Sequence, residues 1–332
     1  MPFTYYITIY KHLLTCLQYL MSDPSKIKNF TYEGVGNERI DVYLTKNHEY
    51  TRNFFHRLMA RGDIALNGTT LKKNSQRLKP WDQITITHPE RYMESEVLAQ
   101  SPQIDLKIMI EKEDYLVIYK PKGMLSHPNS VRGVEHTNVV GSLYHYFAQQ
   151  NLPTTGNFVR AWLIHRLDKE TDGLMLIVKT EAGLKYFKDL FQAKSMATTI
   201  EEKDAVPLKK YYRANSIVTV SGQKFLDSIS LPHIIEEIVV PKVPHYEPKM
   251  GITQIVNCEL WMVNWREVAT IELQLFTWRT HQIRYHLWRR GLPIVGDYLY
   301  GKEYFTEGEK MWLTAYRLQF KDIKGELIDL HV

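Results

Sequence analysis

At 332 residues, with 44% hydrophobic and 24% charged side chains, the chain is long enough for about two domains and apolar enough for real cores, which excludes a mainly disordered, collagen-like or coiled-coil protein. Its net charge is a modest +5, and two cysteines, Cys16 and Cys258, can build neither a disulfide framework nor a four-thiolate zinc site, so a reducing cytoplasm is the expected compartment.

The opening stretch, MPFTYYITIYKHLLTCLQYL, is aromatic and apolar, but Lys11, His12 and Gln18 interrupt it before a membrane could be spanned. It also lacks the basic start and small-residue cleavage site of a signal peptide, and no membrane partner is expected. Met21 opens MSDPSKIKNF, which reads like a natural start, so residues 1–20 are read as an upstream extension of little functional weight, part of an N-terminal extension over 1–36.

Charge then becomes concentrated. Between Arg39 and Lys79, nine Lys/Arg stand against three acids, a local +6 that leaves the remainder of the chain at −1. A compact basic segment is the electrostatic footprint expected of a phosphate partner, or simply a solvated face if no other pattern accompanies it. Here there is a pattern. Ile40, Tyr43 and Leu44 have helical spacing, Phe54, Phe55, Leu58 and Met59 form a second helical stripe, and Gly62 is placed to stop it. IALNG and DQITI predict short strands with Asn67-Gly68 as a tight turn. This order of helix, helix and small sheet over residues 37–88, with Arg39, Asp41, Leu44, Arg52, Leu58, Gly62, Asn67, Gly68 and Asp82, resembles an S4-type RNA-binding domain. The resemblance implies phosphate contacts from Arg52, Arg57, Arg61, Lys72 and Lys73, although any one of them alone would be an ordinary surface charge.

Residues 89–103 are polar and non-periodic and read as a linker to a second domain over 104–332. There, Tyr115 to Tyr119 predicts a strand that Lys120-Pro121-Lys122-Gly123 breaks into a loop. Further on, a polar cluster from His165 through Gly173, HRLDKETDG, runs into the apolar strand Leu174 to Val178. Taken alone this is as readily a charged turn before a core strand as a catalytic loop. A second such segment, FTWRTHQIRYHLWRRGLPIVGDYLYG, carries Arg279, His281, Gln282, Arg284 and His286 beside core-type residues. Residues 195–209 and 222–256 are polar or punctuated by proline and look like insertions.

HRLDKETDGLML, RTHQIRYHL and GLPIVGDYLYG, together with YKPKGM and the Lys210, Tyr212, Ala214 pattern of KKYYRA, resemble in order and spacing the RluA-type family of pseudouridine synthases, in which a leading S4 domain is common. Two positions depart from that pattern: Asp172 replaces the Ser or Thr before the motif glycine, and Trp278 replaces the Gly before Arg279. The resemblance implies an α+β catalytic domain on a mixed, largely antiparallel sheet with a central cleft. It implies isomerisation of uridine in RNA, through breakage of the bond from ribose C1′ to uracil N1, turning of the base and rejoining at C5. No redox change occurs and no cofactor or metal is needed.

Asp168 is then the ionised carboxylate at the sugar, either attacking C1′ or abstracting the 2′ proton. Arg284 pairs with it through a bidentate fork that keeps it charged in a water-poor pocket. Tyr212 packs on the uracil and assists removal of the C5 proton. The target must be turned out of its stack, and Arg166 matches the position that fills the vacated space. Lys120, Arg279, His281 and Gln282 are further candidates to line the cleft or meet phosphate, whereas His165 suits a hydrogen-bonded core histidine. The partner is RNA, ribosomal in the first reading and transfer RNA in the second, acted on by a monomer. Rival readings are a catalytically silent S4-containing assembly protein, a kinase, which fails because HRLD is out of order and no glycine-rich loop precedes it, and a glycoside hydrolase using Asp168 and Asp172.

Overall fold

In the computed structural model, which describes residues 27–48, 52–71, 73, 75–87, 101–127, 137–150, 163–243 and 246–332, the chain divides into two units at Glu94 and Ser95. Residues 1–26, with Cys16, and nearly all of the expected linker 89–103 lie outside the described residues.

The first unit contains β1 (Ile27–Thr31), α1 (Ile40–Asn47), α2 (Arg52–Arg61), β2 (Ile64–Leu66), β3 (Thr69–Thr70) and β4 (Gln83–Thr87). The helical stripes behave as their spacing requires: Ile40, Leu44, Phe54, Phe55 and Leu58 are buried together against Ile64, Ile84 and Ile86 of the sheet. The strands lie in the order β1-β4-β2-β3, and β2 turns into β3 at Asn67-Gly68. β1 runs antiparallel to β4, Ile27 opposite Thr87, so the unit starts ahead of the expected boundary at residue 37. Its residues, IKNFT, are exposed or half-buried at a sheet edge and give no apolar alternation to read.

The second unit is built on one sheet of nine strands among the described residues: β5 (Lys107–Glu111), β6 (Tyr115–Lys120), β7 (Asp172–Val178), β8 (Leu208–Ile217), β9 (His233–Val239), β10 (Lys249–Val263), β11 (Arg266–Leu275), β12 (Leu313–Lys321) and β13 (Leu327–His331). Their order is β5-β6-β7-β12-β8-β11-β10-β9, with β13 beside β12, and only β7 and β12 pair in parallel. The sheet is thus mixed and mainly antiparallel, as expected. Among the described residues five α-helices accompany it: α3 (Val139–Gln149), α4 (Glu181–Met196), α5 (Ile200–Ala205), α6 (Val220–Ser228) and α7 (Gln282–Arg289).

The unbroken apolar runs of β6 and β7 have a direct cause, since both faces are covered. Leu116, Ile118, Met175 and Ile177 pack with α3 and α7, while Tyr115, Val117, Leu174 and Leu176 pack with Phe187 of α4. The two expected insertions are largely regular structure. Residues 195–209 span the end of α4, α5 and the start of β8, and residues 222–256 hold most of α6, all of β9 and half of β10. Exposed side chains on the edge strand β9 hid its alternation, and Gly251, Thr253 and Gln254 interrupt the apolar pattern at the buried start of β10.

Gly173 lies where the Asp168 loop enters β7, opposite Ala315 of β12, with φ +119°. A Cβ there would collide with the Ala315 carbonyl oxygen. Gly173→Ala is therefore expected to cost about 3 kcal/mol, or roughly 6–12 °C in melting temperature. Calorimetry checks this, and an unchanged melting temperature would contradict the close approach.

Candidate active site

Asp168 sits in a loop that several independent bonds hold in place. Ser126 Oγ donates to the Leu167 carbonyl at 2.6 Å and accepts from Leu167 N at 3.1 Å. Gly123 N and Lys120 Nζ both donate to the Lys169 carbonyl, at 2.9 and 3.1 Å. Behind the loop, His165 Nε2 accepts from Leu176 N at 2.9 Å and its ring stacks on Phe191, which makes it the hydrogen-bonded histidine expected. Burial holds its imidazole well below the usual range.

The loop, β8, and the segment from Trp278 to Arg284 enclose a cleft of about 340 Å³. Asp168, Tyr212, Arg284, Arg166, Arg279, His281 and Gln282 all contribute to its lining, so residues far apart in sequence do converge. The Asp168 carboxylate is 26% exposed, and His281 Nε2 and Arg284 Nη1 approach its Oδ2 to 3.8 and 3.9 Å. Neither distance is a direct hydrogen bond. Two cationic or polar donors thus surround a carboxylate whose own acceptor sites are left open to the cleft.

Arg284 does not fork onto Asp168 as expected. Its Nε and Nη2 form the bidentate pair with Asp297, both at 2.7 Å. Asp297 is buried, and its Oδ1 also accepts from Leu299 N and Tyr300 N at 3.0 Å. Burial opposes the charge on Arg284, but its bonds to Asp297 and the nearby Asp168 keep its pKa above the ordinary value. Asp297 fixes the guanidinium plane, and the remaining Nη1 is turned toward Asp168. Sequence reasoning missed this residue; its signal was a lone carboxylate inside the apolar run PIVGDYLYG, which requires a partner when buried.

Tyr212 is buried on β8, and burial followed by the charge of Asp168 pushes its phenol up. His281 begins α7 with a left-handed backbone, φ 57°, an unfavourable conformation for a residue with a side chain and one found at functional sites. Burial lowers its pKa against the pull of Asp168. Arg279 is half-buried, with Nε donating to the Met250 carbonyl at 2.8 Å. Arg166 is exposed, and its Nη2 donates to the Tyr246 hydroxyl at 3.3 Å rather than to an acid.

Two expected contact residues serve the scaffold instead. Lys120 is fully buried, and its Nζ donates to the carbonyl oxygens of Pro121, Met124 and Lys169 at 2.9, 2.9 and 3.1 Å. Burial brings its pKa down to about 8. Having spent its donors on carbonyls, it ties the β6 turn to the Asp168 loop and cannot meet phosphate. Gln282 accepts from Thr277 Oγ1 and Arg279 N and donates to the Ile252 carbonyl and Thr253 Oγ1, all within 2.8–3.0 Å, so its amide is saturated.

The departures are also placed. Asp172 accepts from the Tyr119 hydroxyl at 2.6 Å and from Thr314 Oγ1 at 2.7 Å, which engages both oxygens and argues against a two-carboxylate hydrolase. Trp278 lines the cleft and packs on Phe191, ring centroids 4.9 Å apart.

In the first unit, Asp41 is buried and its Oδ2 lies 2.8 Å from both Arg52 and His56, with Arg39 at 2.9 Å. Burial would raise this carboxyl, but those three partners hold it well below the usual range. Arg52 is therefore paired with Asp41 while its side chain stays 47% exposed. Lys73 is exposed, while the side chains of Arg57, Arg61 and Lys72 lie outside those described.

A family model described as RNA pseudouridylate synthase matches residues 114–288. The chain is 28% identical over 316 residues to an uncharacterized RNA pseudouridine synthase of Aquifex aeolicus, covering 91% of this chain and 92% of that protein. An uncharacterized RNA pseudouridine synthase of Synechocystis sp. is 31% identical over 84% of this chain and 80% of its own length. The Ribosomal large subunit pseudouridine synthase D of Buchnera aphidicola is 27% identical, with 80% and 77% covered.

Proposed function

The chain belongs to the RNA pseudouridylate synthase family, and from that premise we propose that it converts specific uridines of ribosomal RNA to pseudouridine, with Asp168 as the carboxylate acting at the ribose. The observation that carries this reading is the Asp168 carboxylate itself, partly exposed in the cleft, given no direct hydrogen bond by the described residues and faced by Arg284 and His281.

Each expected step has a group suited to it. Arg284, oriented by Asp297, favours the anionic form of Asp168 in a site from which the base displaces water. Tyr212 offers a ring on which the uracil packs. A stacked uridine must leave its helix or loop to reach Asp168, and Arg166 at the exposed rim is suited to hold the rearranged strand once it releases Tyr246. The reaction is an isomerisation within one nucleotide, so it consumes no co-substrate and needs no cofactor; a cytoplasmic monomer is the form proposed.

Ribosomal RNA is favoured because relatives of this chain carry names of ribosomal large subunit synthases. The first unit supports an S4-type RNA-binding role through its helix, helix and sheet order and its local excess of basic residues. Tritium release from [5-³H]uridine-labelled ribosomal and transfer RNA fractions, prepared from cells lacking the gene, tests the assignment. Release from ribosomal RNA alone is expected. Release from transfer RNA alone would replace the substrate, and RNA binding with no release from either would favour the silent assembly protein.

A further inference from the structure

Lys210 stands two residues before Tyr212 on β8, so both side chains leave the same face of the strand, and both line the cleft with Asp168. It is only 5% exposed. Its Nζ lies 4.7 Å from the ring centroids of Phe191 on α4 and of Trp278 in the loop after β11. Among the described residues no carbonyl, hydroxyl or carboxylate accepts a hydrogen bond from it, unlike Lys120, whose donors are all engaged. A buried lysine ordinarily finds such acceptors. Lys210 has two ring faces and the cleft.

Building on pseudouridine formation in this cleft, we infer that the Lys210 amine is the base that takes the C5 proton of the rearranged uracil and delivers a proton to N1. Once the C1′–N1 bond has broken and C1′–C5 has formed, C5 is tetrahedral and still carries its hydrogen. The Nζ lone pair takes that proton, and the C5–H electron pair becomes the C5–C6 double bond as the C6–N1 double bond passes its electrons to N1. The resulting ammonium protonates N1 and the amine is restored. One proton moves from carbon to nitrogen, and nothing else is consumed.

The surroundings suit this role better than they suit Tyr212. Burial and the charge of Asp168 disfavour the phenolate of Tyr212. Burial of Lys210 without a carboxylate partner holds its pKa well below the ordinary value and so favours the neutral amine, which is the form a base requires. The other titratable group facing it is His165 from the Asp168 loop, which burial keeps neutral.

Lys210→Met preserves length and fits between the two rings. It is compared with wild type on ribosomal RNA labelled with [5-³H]uridine and on RNA transcribed with 5-fluorouridine, which has no C5 proton to lose. Tritium release should fall on the order of 10²–10⁴-fold. Rearrangement of 5-fluorouridine to the carbon-linked nucleoside should stay within about threefold of wild type, because it needs only the earlier steps. Ethylamine should restore tritium release to Lys210→Ala, and Lys210→Arg should remain inactive in release. Loss of both reactions together, or tritium release by Lys210→Met within about threefold of wild type, overturns the assignment. A wild-type protein that releases no tritium overturns the activity and this role with it, whereas release that Lys210→Met matches overturns the role of Lys210 alone.

Discussion

Asp168→Asn is expected to lower pseudouridine formation on the order of 10³–10⁴-fold while leaving the fold and RNA affinity close to wild type. The amide keeps the size of the carboxylate but has neither the negative charge to attack C1′ nor the basicity to remove the 2′ proton, so both routes open to Asp168 close together. Little stability is at stake. The side chain is 26% exposed, and its approaches to His281 and Arg284 are 3.8 and 3.9 Å, longer than hydrogen bonds. Partly solvated ion pairs of this kind contribute up to about 1 kcal/mol. Single-turnover kinetics and a binding isotherm on the same RNA separate the two expectations. Retained turnover would remove Asp168 from the chemistry, and loss of binding would make it a recognition residue.

Asp297→Asn has the second large effect, of a different kind. Arg284 is 5% exposed and Asp297 lies fully inside, so the pair is a buried one whose stability depends on both charges. Removing one leaves the other desolvated and unpaired, at a cost of about 3–5 kcal/mol. The amide also presents an N–H toward a guanidinium that has only donors, so the plane that aims Nη1 at Asp168 is lost. Thermal unfolding should drop sharply. In the protein that remains folded, kcat should fall by about 10²-fold with a smaller change in KM, because Asp297 acts through Arg284 and touches no RNA. A variant with wild-type melting and kcat would contradict this positioning role.

Much of the architecture is legible in the sequence where burial is uniform. The helical stripes of Ile40 to Met59 and the runs Tyr115 to Tyr119 and Leu174 to Val178 are read correctly because a covered face leaves a strict apolar period. The start of β10 is not, because Gly251, Thr253 and Gln254 break its apolar run although it is buried between β9 and β11, and β9 is not, since an edge strand with exposed side chains looks polar and irregular. β1 is hidden for the same reason.

At the site, resemblance in motif order identifies the segments that converge, and the cleft contains Asp168, Tyr212 and Arg284 together. What sequence does not convey is how each polar side chain spends its hydrogen bonds. Lys120 and Gln282 look like cleft or phosphate residues in a linear reading, yet each is saturated by groups brought from other strands and loops. Arg284 is paired with Asp297, thirteen positions on, because the chain returns past α7 to place that carboxylate beneath it. Arg52 likewise reaches the buried Asp41 while staying half-exposed, a pairing that the linear order does not show. Lys210 shows the converse: within KKYYRA it is one of two adjacent lysines, and only its place between the Phe191 and Trp278 rings sets it apart from Lys209, which pairs with Asp204.

The most direct measurement is pseudouridine mapping at single-nucleotide resolution in total RNA from cells carrying the wild-type gene, the Asp168→Asn gene, or no gene. The same ribosomal uridines should lose modification in the deletion and in Asp168→Asn while remaining modified in wild type. An unchanged map in both, with the protein expressed, would contradict the assigned activity; loss in the deletion with retention in Asp168→Asn would contradict the role given to the carboxylate.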